Sequence, residues 1–498
     1  MSTPPNRDTA SQAATVIGGG LAGSEAAWQL AARGIPVRLM EMRPLATGPA
    51  HHTGRLAELV CSNSLKSDDP NTAAGLLKAE LDELGSLVIA CARATSVAAG
   101  AALAVDRERF SALVDLLLEE HPLVTVERCE ASTIPAEGPV VIATGPLTSA
   151  VFEPALSSLV GPTRLHFFDA AAPIVDASTV DRDLAFAASR WGKGGGADYV
   201  NCPMDRETYE HFVDELVAAR RVQAREFERR ELFSACQPVE EIARSGRDAL
   251  RFGPMKPVGL VDPASRERPW AVVQLRSENA QGSAYNLVGF QTNLTFPEQR
   301  RVFALIPALA HADFLRYGVM HRNTFVDAPR LLDATLAVRA HPRLRIAGQL
   351  AGTEGYLEAA ATGLMVALGI ASQRAGSQPL VLPRTTAIGA LLAWATDPDT
   401  DDYQPMHVNF GIVPALAERV RGKRERYAAY ARRARQDLAS ALHPDSWDVG
   451  AIRSVTLAAV SDASSRLPSA LEHVIGGASA GPASARRPLS GPRSERTS

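Results

Sequence analysis

The sequence predicts an α/β protein: a doubly wound, Rossmann-like dinucleotide-binding domain interrupted by an α+β insertion domain. Three observations predict it. An apolar run, AATVI (13–17), leads into Gly18-x-Gly20-x-x-Gly23, an Ala-rich segment and a second apolar run that ends at Glu41. The same strand–turn–helix grammar returns near the far end, from Leu344 on, at LRIAG and then YLEAAATGLMVALG. Between them, 191–325 changes character and breaks the pattern. The chain has 498 residues, too many for one core; at about 150 residues per domain that is roughly three units, or two with insertions.

In order, residues 1–12 are polar and expected disordered. AATVI is a short buried strand bounded by glycines, Leu21–Ala32 a helix, and Gly34 sits where a helix C-terminal cap belongs. Pro36 opens the second strand, PVRLM. Strand, turn, helix and strand within about 30 residues make a βαβ unit. Residues 43–70 form a loop long enough to be functional. Helices are expected at 71–84 and 107–120, and strands at Val124–Glu127 and Val140–Ile142, the latter running into Ala-Thr-Gly. WGKGGG, within 165–200, reads as a flexible joint. A charged helix runs from Asp205 to about Arg230, and 250–325 reads as strands and loops. A basic helix, Arg421–Leu442, closes the folded part. These segments divide the chain into a first dinucleotide-binding part (13–190), the insertion (191–325), a second part (326–442) and a tail (443–498) of Ala, Ser, Gly, Pro and Arg expected to be disordered.

Composition excludes several classes. Fifty-two Lys and Arg against 55 Asp and Glu leave a net charge of −3, so any nucleic-acid contact must use local patches. No stretch approaches the ~18 apolar residues of a membrane span, and the N-terminus lacks a signal-peptide core. Five cysteines without a CxxC pair argue against a disulfide scaffold and a cysteine zinc site. A reducing, cytoplasmic location is the default.

The glycine turn carries the clearest chemistry. Gly18, Gly19, Gly20, Leu21, Ala22 and Gly23 allow a pyrophosphate to approach helix amides, and Glu41 can accept from a ribose hydroxyl. The plain alternative is a glycine-rich turn without a ligand. FAD is favoured over NAD because the fingerprint opens the chain. In addition, LRIAGQLAGTEGY, with Gly348 and Gln349, supplies a second strand–glycine–helix element that can face the flavin pyrimidine.

Two cysteines stand out. Cys236, in SACQPVEEIARSGRD, precedes a helix start marked by Pro238, Glu240 and Glu241 and ended by Gly246. A helix dipole there, with Arg244, Arg247, Arg251 and Lys256, favours a thiolate, while Glu240 and Glu241 oppose it. Cys61, in LAELVCSNSLKS, opens a polar loop; a small buried thiol is its bland reading. Arg220, Arg221, Arg225, Arg229 and Arg230 share one expected helix, and Lys423, Arg424, Arg426, Arg432, Arg433 and Arg435 another. Both are solvated faces or phosphate contacts. His321 and Asn323, in GVMHRNTF, can hold a planar polar ligand, and His321 can equally be structural. His51 and His52 complete no metal motif, and no metal is expected.

Several strings together, VIGGGLAGSEAAWQLA, PAHHTGRLAELVCSNSLKSD, LRFGPMKPVGL, YNLVGFQTNLTFPEQ and AGQLAGTEGYLEAAATG among them, resemble the bacterial folate/FAD-dependent tRNA uracil-5 methyltransferase family over about 14–442. The resemblance implies a FAD domain split by an insertion, and 5-methyluridine formation in the T-loop of tRNA. It implies 5,10-methylenetetrahydrofolate as carbon source, reduced FAD as electron donor and NAD(P)H to re-reduce it. It also implies Cys236 as nucleophile, Cys61 as assisting thiol and His321 against the folate pterin. The family usually has Glu-Gly before the first of these cysteines and Leu after it; Ser234, Ala235 and Gln237 stand here. The alternatives are a related flavin enzyme acting on the wobble uridine or on ribosomal RNA, and a non-catalytic flavin-bound RNA-binding factor. The CSNSL and GPMKPVGL strings favour the T-loop enzyme.

Overall fold

The computed structural model describes residues 13–48, 50–161, 164–170, 172–222, 237–279, 281–318, 320–400, 403–442 and 448–467. Its first layer is a six-stranded sheet. Across it run Ala337–Val338, His341–Ile346, Val140–Ile142, Ala14–Ile17, Val37–Glu41 and Val124–Arg128. All neighbours are parallel except the first pair, which is antiparallel. The chain winds outward from Ala14–Ile17 to Val37–Glu41, then resumes on the other side at Val140–Ile142. That reversal makes a crevice at the carboxyl ends of the central strands, where doubly wound sheets bind ligands.

The helices Leu21–Ala31 and Tyr356–Arg374 pack against each other. Their alanines and glycines permit a close approach: a Cβ on Gly363 would lie 2.1 Å from the carbonyl oxygen of Ala22. Every residue of Leu21–Ala31 is buried, so even its polar side chains have internal work. Glu25 accepts from Ser86 Oγ and from the Leu87 and Val88 amides at the start of helix Leu87–Ala94. Glu80 does the same for helix Ala387–Thr396, accepting from Ala387 and Ile388 at 2.7 and 2.9 Å. Burial pushes the Glu80 carboxyl up to about 7 against those bonds.

The second sheet is antiparallel. Its strands lie in the order Phe186–Ala187, Tyr199–Met204, Ala271–Ser277, Ala284–Leu287, Ile174–Asp176 and Phe314–Arg316. It has its own core, including Phe212, Phe290 and Phe303. Its first strand precedes residue 191. The outgoing and returning chains pair as a ladder, Arg164–Ala170 against Met320–Val326. WGKGGG is not a joint between units. It is a turn tied down by Asp198, whose carboxylate accepts from the Gly100 amide at 2.6 Å and the Gly195 amide at 3.1 Å.

Two further expectations are corrected. The charged helix ends at Ala218, short of Arg230. Arg220 and Arg221 lie past it and pair with Glu298 and Glu241; Arg225, Arg229 and Arg230 lie outside the described residues. Further on, the expected disordered tail contains the helix Val449–Arg466. Val449, Ile452, Thr456, Val460 and Ala463 are buried at helical spacing, a stripe that the small-residue composition conceals. Trp28 Nε1 donates to Thr456 Oγ1 at 2.9 Å. Arg453 pairs with Asp82 and Arg466 with Glu120.

Candidate active site

The glycine turn divides its labour. Gly18 adopts φ +101°, and a Cβ there would lie 2.4 Å from the Ala143 carbonyl oxygen. A Cβ on Gly23 would lie 1.8 Å from the Gly18 carbonyl oxygen, so this glycine lets helix and strand close up. Gly20 differs. It caps the helix with φ −73° and ψ −169°, without a side-chain bond. A Cβ there would meet nothing within 4 Å. The helix start thus faces open space lined by Gly18, Gly20, Leu21 and Ala22, with first-turn amides that have no intrahelical partner.

Glu41 closes the other side of the turn. Its Oε2 accepts from the Gly19 amide at 2.7 Å, and its Oε1 from Arg43 N and Nε at 2.9 and 2.8 Å. Burial alone would raise this carboxyl, but the Arg43 guanidinium and the two amides hold it below the usual carboxylate value. Arg43, 1% exposed, also pairs with Glu58 at 3.1 Å. Glu58 in turn accepts from the amides of His52 and Thr53. The long loop is therefore fastened to the nucleotide turn by an ion-pair chain. His51 lines the same cleft, and burial lowers it to about 4, so it is neutral at physiological pH.

The second glycine element meets the first across this cleft. Gly348 has φ +77°, and a Cβ there would stand 3.1 Å from the Ala22 Cβ. Gly348, Gln349, Gly355 and Tyr356 join Gly18, Gly20 and Glu41 as lining residues. Gly355 caps helix Tyr356–Arg374 without a side-chain bond, so two helix N-termini face the same space. An elongated dinucleotide fits the donor set: open amides for a pyrophosphate, Glu41 for a ribose, and a second helix start for a ring system.

The cysteines and the ladder residues stand as follows. Cys61 is partly exposed and in no disulfide. Its amide and that of Ser62 donate to Tyr356 Oη at 2.7 and 3.1 Å, which ties the Cys61 loop to the rim of the cleft. Cys236 lies outside the described residues. The helix after it is Val239–Ser245, capped by Pro238 and ended at Gly246, and Glu240 is buried against Thr292 and Asn293. His321 lies in the strand Met320–Val326 opposite Asp169; Asn323, in the same strand, is buried. That strand touches the cleft through the Thr324 amide, which donates to the carbonyl of the lining residue Pro146 at 2.8 Å.

Residues 13–378 match the profile of the glucose inhibited division protein A family. The chain belongs to that family. Within it, this family member is 55% identical to the methylenetetrahydrofolate–tRNA-(uracil-5-)-methyltransferase TrmFO of Moorella thermoacetica, over 84% of this chain and 96% of the relative. The TrmFO of Geobacter sulfurreducens is 53% identical over 86% and 98%. Among solved structures, Aquifex aeolicus GidA superposes with a TM-score of 0.62 at 17% identity, covering 88% of this chain and 75% of the other. That likeness shows the fold alone: a Rossmann-like sheet carrying an antiparallel insertion.

Sequence reasoning on this GidA-family chain missed Arg43, Glu58 and Tyr356 as parts of the site. Tyr356 had a signal, since it ends the GTEGY string. Arg43 and Glu58 had little, because arginine–carboxylate pairs across a loop have no fixed spacing.

Proposed function

We infer that the chain is a FAD- and methylenetetrahydrofolate-dependent tRNA (uracil-5-)-methyltransferase that makes 5-methyluridine in the T-loop. The observation that carries this is its identity of 50–55% to enzymes so named, across 95% or more of their length. The open Gly20 cradle, Glu41 and the Gly348–Gln349 turn support FAD as the resident cofactor. Bound there in reduced form, FAD supplies the electrons that take the transferred carbon from methylene to methyl level. NAD(P)H restores those electrons.

The chain's own residues do the rest. Uracil C5 is a weak nucleophile until a thiolate adds at C6 and moves charge onto C5, C4 and O4. Cys236 is the proposed nucleophile. Cys61, fastened beside the cleft, is the assisting thiol. When the carbon has joined C5, loss of the C5 proton lets the sulfur leave C6. His321 and Asn323, on the strand that reaches the cleft wall, are the proposed folate contacts. The target base must leave its stack to reach this crevice. Exposed Lys423, Arg424, Arg426 and Arg432 on the helix Lys423–Ala441 offer phosphate contacts. A cytoplasmic location follows from this substrate.

Separate reactions with labelled methylenetetrahydrofolate and labelled S-adenosylmethionine test the reading. Label enters tRNA only from the folate, and Cys236→Ala abolishes it while FAD and tRNA still bind. Transfer from S-adenosylmethionine, or full activity in Cys236→Ala, overturns it. In a deletion strain, 5-methyluridine disappears from tRNA and the wobble uridine modification stays.

A further inference from the structure

The Cys61 loop crosses the seam between the two sheets, and three arginines grip it there, Arg276 buried and Arg107 and Arg316 half-buried. Arg107, at the start of helix Arg107–Glu119, donates to the Leu59 carbonyl, and to the Cys61 carbonyl at 3.3 Å. Arg276, on a strand of the second sheet and 5% exposed, reaches Ser62 Oγ at 2.7 Å and Asn63 Oδ1 at 2.9 Å. Arg316, at the edge of the same sheet, donates to the Val60 carbonyl at 2.5 Å. Every residue from Leu59 to Asn63 is therefore held by a guanidinium, while Tyr356 Oη accepts from the Cys61 and Ser62 amides.

The charges do not balance. Among the described residues, the one carboxylate paired with this cluster is Glu278, 2.7 Å from Arg107. Three cations face one anion in a place where burying unpaired charge is costly. The other groups facing it that can become anionic are Cys61, Tyr356 and Tyr199. Burial pushes both tyrosines up, and His52, also near Arg316 and Arg107, is held neutral by burial and by those cations. A thiol is the group that ionises at least cost, its ordinary value being about 8.5. Negative charge on Cys61 favours the protonated form of Arg107, Arg276 and Arg316 alike, and the coupling is reciprocal.

We propose that Arg107, Arg276 and Arg316 hold Cys61 as a thiolate, as positioning residues supplied jointly by the two sheets. The proposal deepens the assisting role given to Cys61 above, but its test needs neither tRNA nor folate. Partly exposed Cys61 is alkylated with iodoacetamide in the flavin-loaded protein across pH, and its rate is followed on its own peptide by mass spectrometry. Arg316 is the residue to change, because it holds the loop through a single backbone carbonyl, that of Val60.

In the unaltered protein the rate midpoint falls below the ordinary thiol value of about 8.5. Arg316→Met raises the midpoint by about one unit, a loss of about tenfold in rate at neutral pH, and Arg316→Lys restores most of it. Arg276→Met moves the midpoint in the same direction. A midpoint at or above the ordinary value in the unaltered protein, or equal midpoints in Arg316→Met and Arg316→Lys, overturns the proposal. If the midpoints move as stated while Cys61→Ala keeps full methylation, the clamp stands and the catalytic reading of Cys61 fails.

Discussion

Gly20→Val separates binding the flavin from folding the domain. Gly20 has negative φ, so valine adopts the same backbone without strain. Its new Cβ meets no protein atom within 4 Å. What it fills is the space before the helix start, where a pyrophosphate must sit. A phosphate oxygen needs about 2.9 Å to an amide nitrogen, and a branched side chain in that gap denies this approach. Losing two such charge-assisted bonds costs about 3–6 kcal/mol at roughly 1.5–3 each, a fall of about a hundredfold to ten-thousandfold in FAD affinity. The variant should purify soluble and colourless, with the melting temperature of flavin-free wild type, and should not recover flavin absorbance on titration with FAD. Gly23→Ala is the contrast, since its Cβ would lie 1.8 Å from the Gly18 carbonyl oxygen; it should lose folded protein as well as flavin. Wild-type flavin content in Gly20→Val would refute the placement of the pyrophosphate. A Gly20→Val chain as unstable as Gly23→Ala would refute the division of labour within the turn.

Glu41→Ala strands buried Arg43 with Glu58 alone and should cost about 3–5 kcal/mol in denaturant unfolding, with weaker flavin binding. Because the Glu41 carboxyl is held below its unfolded value of 4.5, that deficit is full above about pH 4.5 and shrinks as pH falls through the lowered folded value; a deficit that grows in acid would contradict the assignment. Glu80 has the opposite sign. Raised from 4.5 to about 7, it binds a proton in the folded state that the unfolded chain has released, so its contribution falls as pH rises through that window and is flat above it. Glu80→Gln should remove this slope, which urea midpoints at about pH 5 and about pH 8 would reveal. Truncation after Leu442 should expose Trp28 and lose the burial of Val449, Ile452 and Val460, about 5 kcal/mol before the entropy gained. Truncation after Leu467 removes none of those contacts, so equal melting temperatures for the two truncated chains would show that the helix carries no stability.

Local pattern determined much of this protein. Strands Ala14–Ile17, Val37–Glu41 and Val140–Ile142 and the helices after Gly20 and Gly355 were legible because each is bounded by glycine or proline and carries its own apolar periodicity. The Gly20–Gly23 turn was legible because a pyrophosphate site needs small residues at fixed spacing on contiguous chain. Tertiary structure decided what depends on partners remote in sequence. The buried stripe of Val449–Arg466 is sparse, and it is a helix because Trp28, Asp82 and Glu120 wait for it on other elements. The second sheet begins at Ile174 because that strand pairs with Ala284–Leu287 and Phe314–Arg316, an agreement between segments more than a hundred residues apart. The setting of Cys61 was equally invisible. Arg107, Arg276 and Arg316 come from three distant elements, and only the docking of the two sheets brings their charges to one loop.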